Sequence, residues 1–158
     1  MKKFFVAIFA AALMLMGCGE ENPTTSAEVK EASQVQNQIT VQIGGRTFPA
    51  TLEDNLATRD FIERLPLEVD MQELNGNEKY FYLSGDLPSD SVRVKQIHAG
   101  DLMLFGSNCV VLFYEDFTTS YSYTSLGKID APADLEKVLG KGKCHHLSLR
   151  PVGGVRII

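Results

Sequence analysis

Tryptophan is absent from this chain of 158 residues, and cysteine and histidine occur three times each. That is a thin supply for a metal centre built from clustered soft ligands, and no metal site is expected. Lys and Arg are outnumbered by Asp and Glu, 15 to 20. Nucleic-acid binding relies on a basic surface, so no nucleic-acid partner is expected. A glycine-rich phosphate loop, a dinucleotide fingerprint and a Ser-His-Asp order are all missing, and no cofactor is expected. There is no internal repeat, and no apolar run long enough to cross a bilayer comfortably.

The longest apolar run is residues 4–16, thirteen in all, behind the basic start Lys2-Lys3. Its length suits the core of a signal peptide. Leu15-Met16-Gly17-Cys18 follows directly and resembles the bacterial lipobox, in which a small residue precedes a cysteine that is acylated and becomes the new N-terminus. The resemblance implies a signal peptide at residues 1–17, lipidation of Cys18, and a protein held on a membrane of the bacterial cell envelope, facing the periplasm or the exterior. Gly19 stands where the common inner-membrane retention signal has aspartate. Loss of Lys2 and Lys3 moves the formal net charge from −5 to about −7. Residues 18–38 are the lipidated cysteine and a polar tether with almost no large apolar side chain, too little to offset the entropy of ordering. Such a tether spans about 25 Å. A short helix at 27–36 has no apolar stripe to support it.

Residues 39–158 read as one globular domain. The signals are those of a β protein. Ile39, Val41 and Ile43 alternate with polar residues, Gly44-Gly45 makes a hairpin turn, and Phe48, Ala50 and Leu52 return on one face. Pro49 removes a ladder donor, which points to an edge or a bulge. Asp54 is the expected cap of a helix carrying Leu56, Ala57, Phe61, Ile62 and Leu65 on one side and ended by Pro66. Strands are expected at 67–72, 79–83, 92–97, 125–129 and 143–149, with a further short one at 152–158. A second helix is expected after Asp130, with Pro132 in its first turn and Gly140 at its close.

Residues 98–117 (HAGDLMLFGSNCVVLFYEDF) dominate the domain. Residues 102–105 and 109–114 read as two strands around a Gly106-Ser107-Asn108 turn. Both are apolar on both faces, which places them mid-sheet rather than at an edge. About eight strands with two short helices is a barrel count, the helices closing its ends.

The stretches GGRTFPATLEDNLATRDFIERLPL, ELNGNEKYFYLSGDLP and IHAGDLMLFGSNCVVLFYEDFTTSYSYTSLGKID together resemble the small bacterial cyclophilin-like fold family. The resemblance covers about residues 39–149. It implies a mainly β fold, a closed or nearly closed eight-stranded cyclophilin-like β-barrel with two short capping helices. It does not deliver the activity of true cyclophilins. Their F-H-R strand, their Q-G-G-D stretch and their tryptophan are missing here. Without the arginine, the electrostatic half of proline isomerisation is lost.

Tyr80, Tyr82, Tyr121 and Tyr123 are the candidate ligand-binding residues. Each pair has i, i+2 spacing, so on a strand both rings stand on one face. Such rings suit a peptide, a proline ring or a planar small molecule, or else pack the barrel with hydroxyls at its rim. Glu78, Asp86, Glu115 and Asp116 are candidate polar contacts. Cys109 and Cys144 form a candidate disulfide in an oxidising compartment, or pack as free thiols. His145 and His146 point to opposite faces and cannot share a metal. No catalytic residue stands out. The expected function is a membrane-anchored, non-catalytic module binding a peptide, a protein or a small ligand. The alternative is a divergent peptidyl-prolyl cis-trans isomerase, and a redox accessory role through Cys109 and Cys144 is the third.

Overall fold

The computed structural model describes residues 37–140 and 144–153. The expected signal peptide, Cys18, the helix at 27–36, Lys143 and residues 154–158 lie outside the described residues.

β1 (Gln38–Ile43) and β2 (Arg46–Leu52) turn through Gly44 and Gly45, whose φ angles are +54° and +81°. Only glycine adopts two such values in succession without cost. α1 (Leu56–Glu63) leads into β3 (Leu67–Leu74) and β4 (Glu78–Tyr82). Two short strands follow, β5 (Val92–Arg93) and β6 (Gln96–Ile97), then the long hairpin of β7 (Asp101–Phe105) and β8 (Cys109–Phe113). β9 (Phe117–Thr118), β10 (Ser122–Ile129), a 3-10 turn (Pro132–Asp134), α2 (Leu135–Leu139) and β11 (His145–Pro151) complete the domain.

The main sheet runs β2-β1-β11-β3-β4-β8-β7-β10, and β10 pairs back onto β2 to close an eight-stranded antiparallel barrel. β5 adds to one end of β10, and β6 with β9 forms a separate ribbon. The closing ladder passes Gly127, next to a bulge in β10. A Cβ at Gly127 would lie 2.4 Å from the Thr51 carbonyl oxygen and 2.6 Å from Leu52 Cα.

The core is made by the inward faces of all these strands, with Ile39, Leu104, Leu112 and Leu126 fully buried. Burial of one such side chain contributes about 1.5–3 kcal/mol. α1 closes one end with Ala57 and Phe61; α2 closes the other with Leu135 and Leu139. Val138 of α2 packs 3.6 Å from the position a Cβ would take on Gly44, at the β1–β2 turn, whereas α1 follows the opposite end of β2. Among the described residues no helix is long and apolar enough to cross a membrane.

The β7–β8 hairpin is apolar on both faces for a definite reason. Leu102, Leu104, Val110 and Leu112 point into the barrel. Met103, Cys109, Val111 and Phe113 point outward into a second cluster with Ile97 and Tyr123, against which Val94 and Phe117 pack. The segments carrying β6 and β9 thus lie over the outside of the barrel wall.

Several local expectations are corrected. Asn55, not Asp54, caps α1, its side chain accepting from Thr58 N at 2.9 Å; Asp54 instead pairs with Arg59. Leu56, expected on the apolar side of this helix, is 67% exposed. Asp130 does not cap α2: its carboxylate accepts from the Thr51 hydroxyl at 2.8 Å. Pro49 is at neither an edge nor a bulge. It lies opposite Thr40 of β1, and its carbonyl accepts from Asp130 N at 2.9 Å, so the ladder to β10 ends at the residue that cannot return a donor.

Candidate functional site

Strand alternation sets one wall of the barrel apart. On β4, Glu78, Tyr80 and Tyr82 face outward, while Lys79 and Phe81 face in. The ladder places Tyr82 beside Cys109 of β8, and Cys109 beside Phe105 of β7. β10 follows with Tyr123, and Tyr121 stands just before it. The result is a band of rings across four adjacent strands. Tyr80 and Tyr82 meet edge to face, centroids 5.8 Å apart. Phe105 contacts Tyr121 at 6.0 Å and Tyr123 at 5.6 Å, and Tyr123 meets Phe113 at 5.6 Å. Tyr82, Phe105 and Tyr121 remain 66%, 46% and 62% exposed.

The four tyrosines named from the sequence therefore stand on one wall, with different roles. Tyr123 is buried and supports Phe105 from below. Tyr80 is half-buried and donates its hydroxyl to Gln72 at 3.0 Å. Tyr82 and Tyr121 are the open rings. Phe105, the third open ring, carries no sequence signal beyond its place at the end of an apolar strand. Of the four acidic residues expected near the rings, only Glu78 is on this face. Asp86 accepts from the Ser107 hydroxyl at 2.8 Å beyond the hairpin turn, and Asp116 accepts from Ala99 N at 2.7 Å at the other end.

The electrostatics of the band disfavour anions. The Tyr82 hydroxyl is held above its ordinary value, first by the charge of Cys109 beside it and then by burial. Burial raises the Cys109 thiol, partly offset by its hydrogen bond with Tyr82, and the charge of Glu78 raises it further. Burial and Glu78 push Tyr123 up to about 12. A raised thiol is a poor nucleophile, which leaves Cys109 as a packing residue.

The candidate disulfide is not formed. Cys109 is buried and Cys144 exposed, both as free thiols. β4 and β3 lie between β8 and the strand that Cys144 precedes. Three strand spacings are about 14 Å, twice what a disulfide can bridge.

A family model described as the cyclophilin-like family matches residues 41–148. The chain belongs to this family. The solved structure of McbB in complex with tryptophan is similar to the cyclophilin-like domain, with a TM-score of 0.54 and 12% identity over 77% of this chain and 47% of that one. The chain thus spans about half the length of McbB, and the likeness is one of fold. No curated protein matches the sequence.

A cleft of the cyclophilin-like domain lies at the α2 end, away from the ring band. It is an open cleft of about 390 Å³ lined by Ala99, Tyr114, Glu115, Asp116, Pro132, Ala133 and Glu136. Tyr114 is committed elsewhere: its hydroxyl donates to the Glu73 carboxylate, 2.8 and 2.9 Å from its two oxygens. Glu73 also pairs with the fully buried Lys79 at 2.6 Å. Burial first, then the bond to Glu73, hold Tyr114 far above its ordinary value. The trio is a structural knot, and removing one partner of such a buried pair costs about 3–5 kcal/mol.

On the outer face of β11 and β3, His146 lies between Asp70 at 3.0 Å and Glu68 at 3.1 Å. The two carboxylates contact opposite ring nitrogens, so the three groups do not converge on one point. Among the described residues no group of three or more His, Cys, Asp or Glu is arranged to hold a metal ion.

Proposed function

We propose that this cyclophilin-like domain is a non-catalytic binding module, held at a membrane of the bacterial cell envelope by lipid on Cys18. Its ligand carries a flat or cyclic group, either as a proline- or aromatic-containing peptide or as a planar small molecule. The ring band on the outer wall is the binding surface. One observation carries the reading: Tyr82, and the contacting pair Phe105 and Tyr121, stand on one wall on either side of Cys109 with much of their surface open to solvent. Large exposed rings held by a rigid sheet supply contact area at little entropic cost. Among the described residues the band carries tyrosines, Phe105, Cys109 and Glu78, and no arginine to donate to a twisting prolyl amide, which favours the module over a divergent isomerase.

The experiment is a titration of the isotopically labelled chain with a proline-containing tetrapeptide and with tryptophan, followed by amide shifts. Shifts are expected at residues 80–82, 105–109 and 121–123. Tyr82→Ala and Phe105→Ala each weaken binding about two- to tenfold, the worth of one ring contact. Shifts elsewhere, or affinities indifferent to both variants, overturn the reading. A prolyl isomerisation assay runs beside it. Acceleration that disappears in Tyr82→Ala or Tyr121→Ala would move the assignment to an isomerase.

A further inference from the structure

Glu78 opens β4 on the same outward face as Tyr80 and Tyr82, opposite Phe113 of β8 and Leu74 of β3. It is only 7% exposed. Among the described residues its carboxyl makes no hydrogen bond and no ion pair. The other deeply buried charge, Lys79, is paired with Glu73. Its oxygens keep a narrow opening to water, since the buried side-chain atom without a partner among the described residues is Asn77 Oδ1. A carboxylate so largely withdrawn from water with no cation beside it is still costly, and a ligand cation reaches it through that opening. Burial, and next the charge of Glu73, push Glu78 up to about 7. Its field in turn reaches Cys109 and Tyr123, both in the ring band. The titratable groups acting around it are Glu73, Cys109 and Tyr123, and none of them is a cation. The neighbouring Lys79 points to the other side of the strand.

Resting on the ring-band reading, we propose that the band takes an amine: a ligand whose ring stacks on the open tyrosines while its protonated amino group reaches Glu78. Ring faces are attractive to ammonium ions, so the same wall that binds the ring favours the charge beside it. Tyr82 lies four residue steps along the strand from Glu78, about 13 Å of backbone. The glutamate side chain and a ligand spacer of a few carbons together bridge that span.

The test uses two probes of one shape, 4-phenylbutylamine and 4-phenylbutanol, titrated into the full labelled chain at pH 8, where Glu78 is ionised. The amine is expected to bind at least tenfold more tightly than the alcohol, with shifts at residues 78–82. Glu78→Gln removes the preference, so that the amine binds it no more tightly than the alcohol does. In the wild type, saturating amine moves the midpoint of the Glu78 carboxyl carbon signal down by about one pH unit or more, the linkage counterpart of tenfold binding. This second readout decides the matter if Glu78→Gln fails to fold. Equal affinity for the two probes, a preference that survives Glu78→Gln, or an unmoved midpoint overturns the amine. If the alcohol still binds at the rings, the ring-band reading stands without it. If neither probe perturbs the ring residues, both fall.

Discussion

At Gly127 the backbones of β10 and β2 approach so closely that a Cβ would sit 2.4 Å from the Thr51 carbonyl oxygen, with φ at +145°. The Leu52 side chain, its Cδ2 3.1 Å away, could yield, but the two nearer obstacles are main chain and cannot. Gly127→Ala is therefore expected to force the closing ladder apart, at a cost of about 2–4 kcal/mol. Urea unfolding monitored by circular dichroism measures it, and a loss below about 0.5 kcal/mol would show that the contact is soft. This glycine drew no attention in the sequence, because its constraint comes from a strand some 75 residues earlier in the chain. Glu78 was legible as a polar contact for the rings, but its burial was not, for a similar reason: it rests on Phe113 of β8 and Leu74 of β3, which the ladders bring beside it. The tyrosine pairs, by contrast, were legible, since i, i+2 spacing on a strand is local information. Asn55 and Asp54 mark the limit of such reading: both are good caps, and they differ by a single residue in chain position.

β11 is the element whose stability depends on pH. His146 is held above its ordinary value, first by its bond to Asp70 and then by that to Glu68. Glu68 is held below its own, chiefly by the Ser148 hydroxyl, which donates at 2.8 Å, and also by His146 and Arg150. A histidine raised on folding stabilises the fold below its ordinary value near 6.5, and the gain is lost as pH rises through the raised one. The thermal midpoint of wild type over His146→Gln should thus differ most at pH 5–6 and converge by about pH 8–9. A difference constant across that range would mean that the exposed cluster does not couple to folding. The hairpin of β7 and β8 was the most legible element. Its two apolar faces placed it mid-sheet, as it is. The structure adds what covers them: the barrel core inside and the β6–β9 segments outside. Those covering segments were weakly legible, as two-residue strands carry almost no periodicity.

For the molecule as a whole, an eight-stranded barrel with two end helices was readable from strand count and family pattern. The strand order was not, since β11 slots between β1 and β3, and β2 meets β10, by contacts distant in sequence. The anchor belongs to this scale too. Detergent phase separation of cell envelopes should carry the wild type into the detergent phase and Cys18→Ala into the aqueous one. Wild type in the aqueous phase would remove the lipid from the account.

β1 lies antiparallel beside β11, with Ile39 opposite Pro151. In the ring of eight strands these two stand diametrically across from β7 and β8. The molecule therefore has a handle and a face. Asn37, where the described residues begin, lies on the side of the barrel opposite the wall bearing Tyr82, Phe105 and Tyr121. On the proposed anchor at Cys18, that wall would face away from the point of attachment and stay open to a ligand.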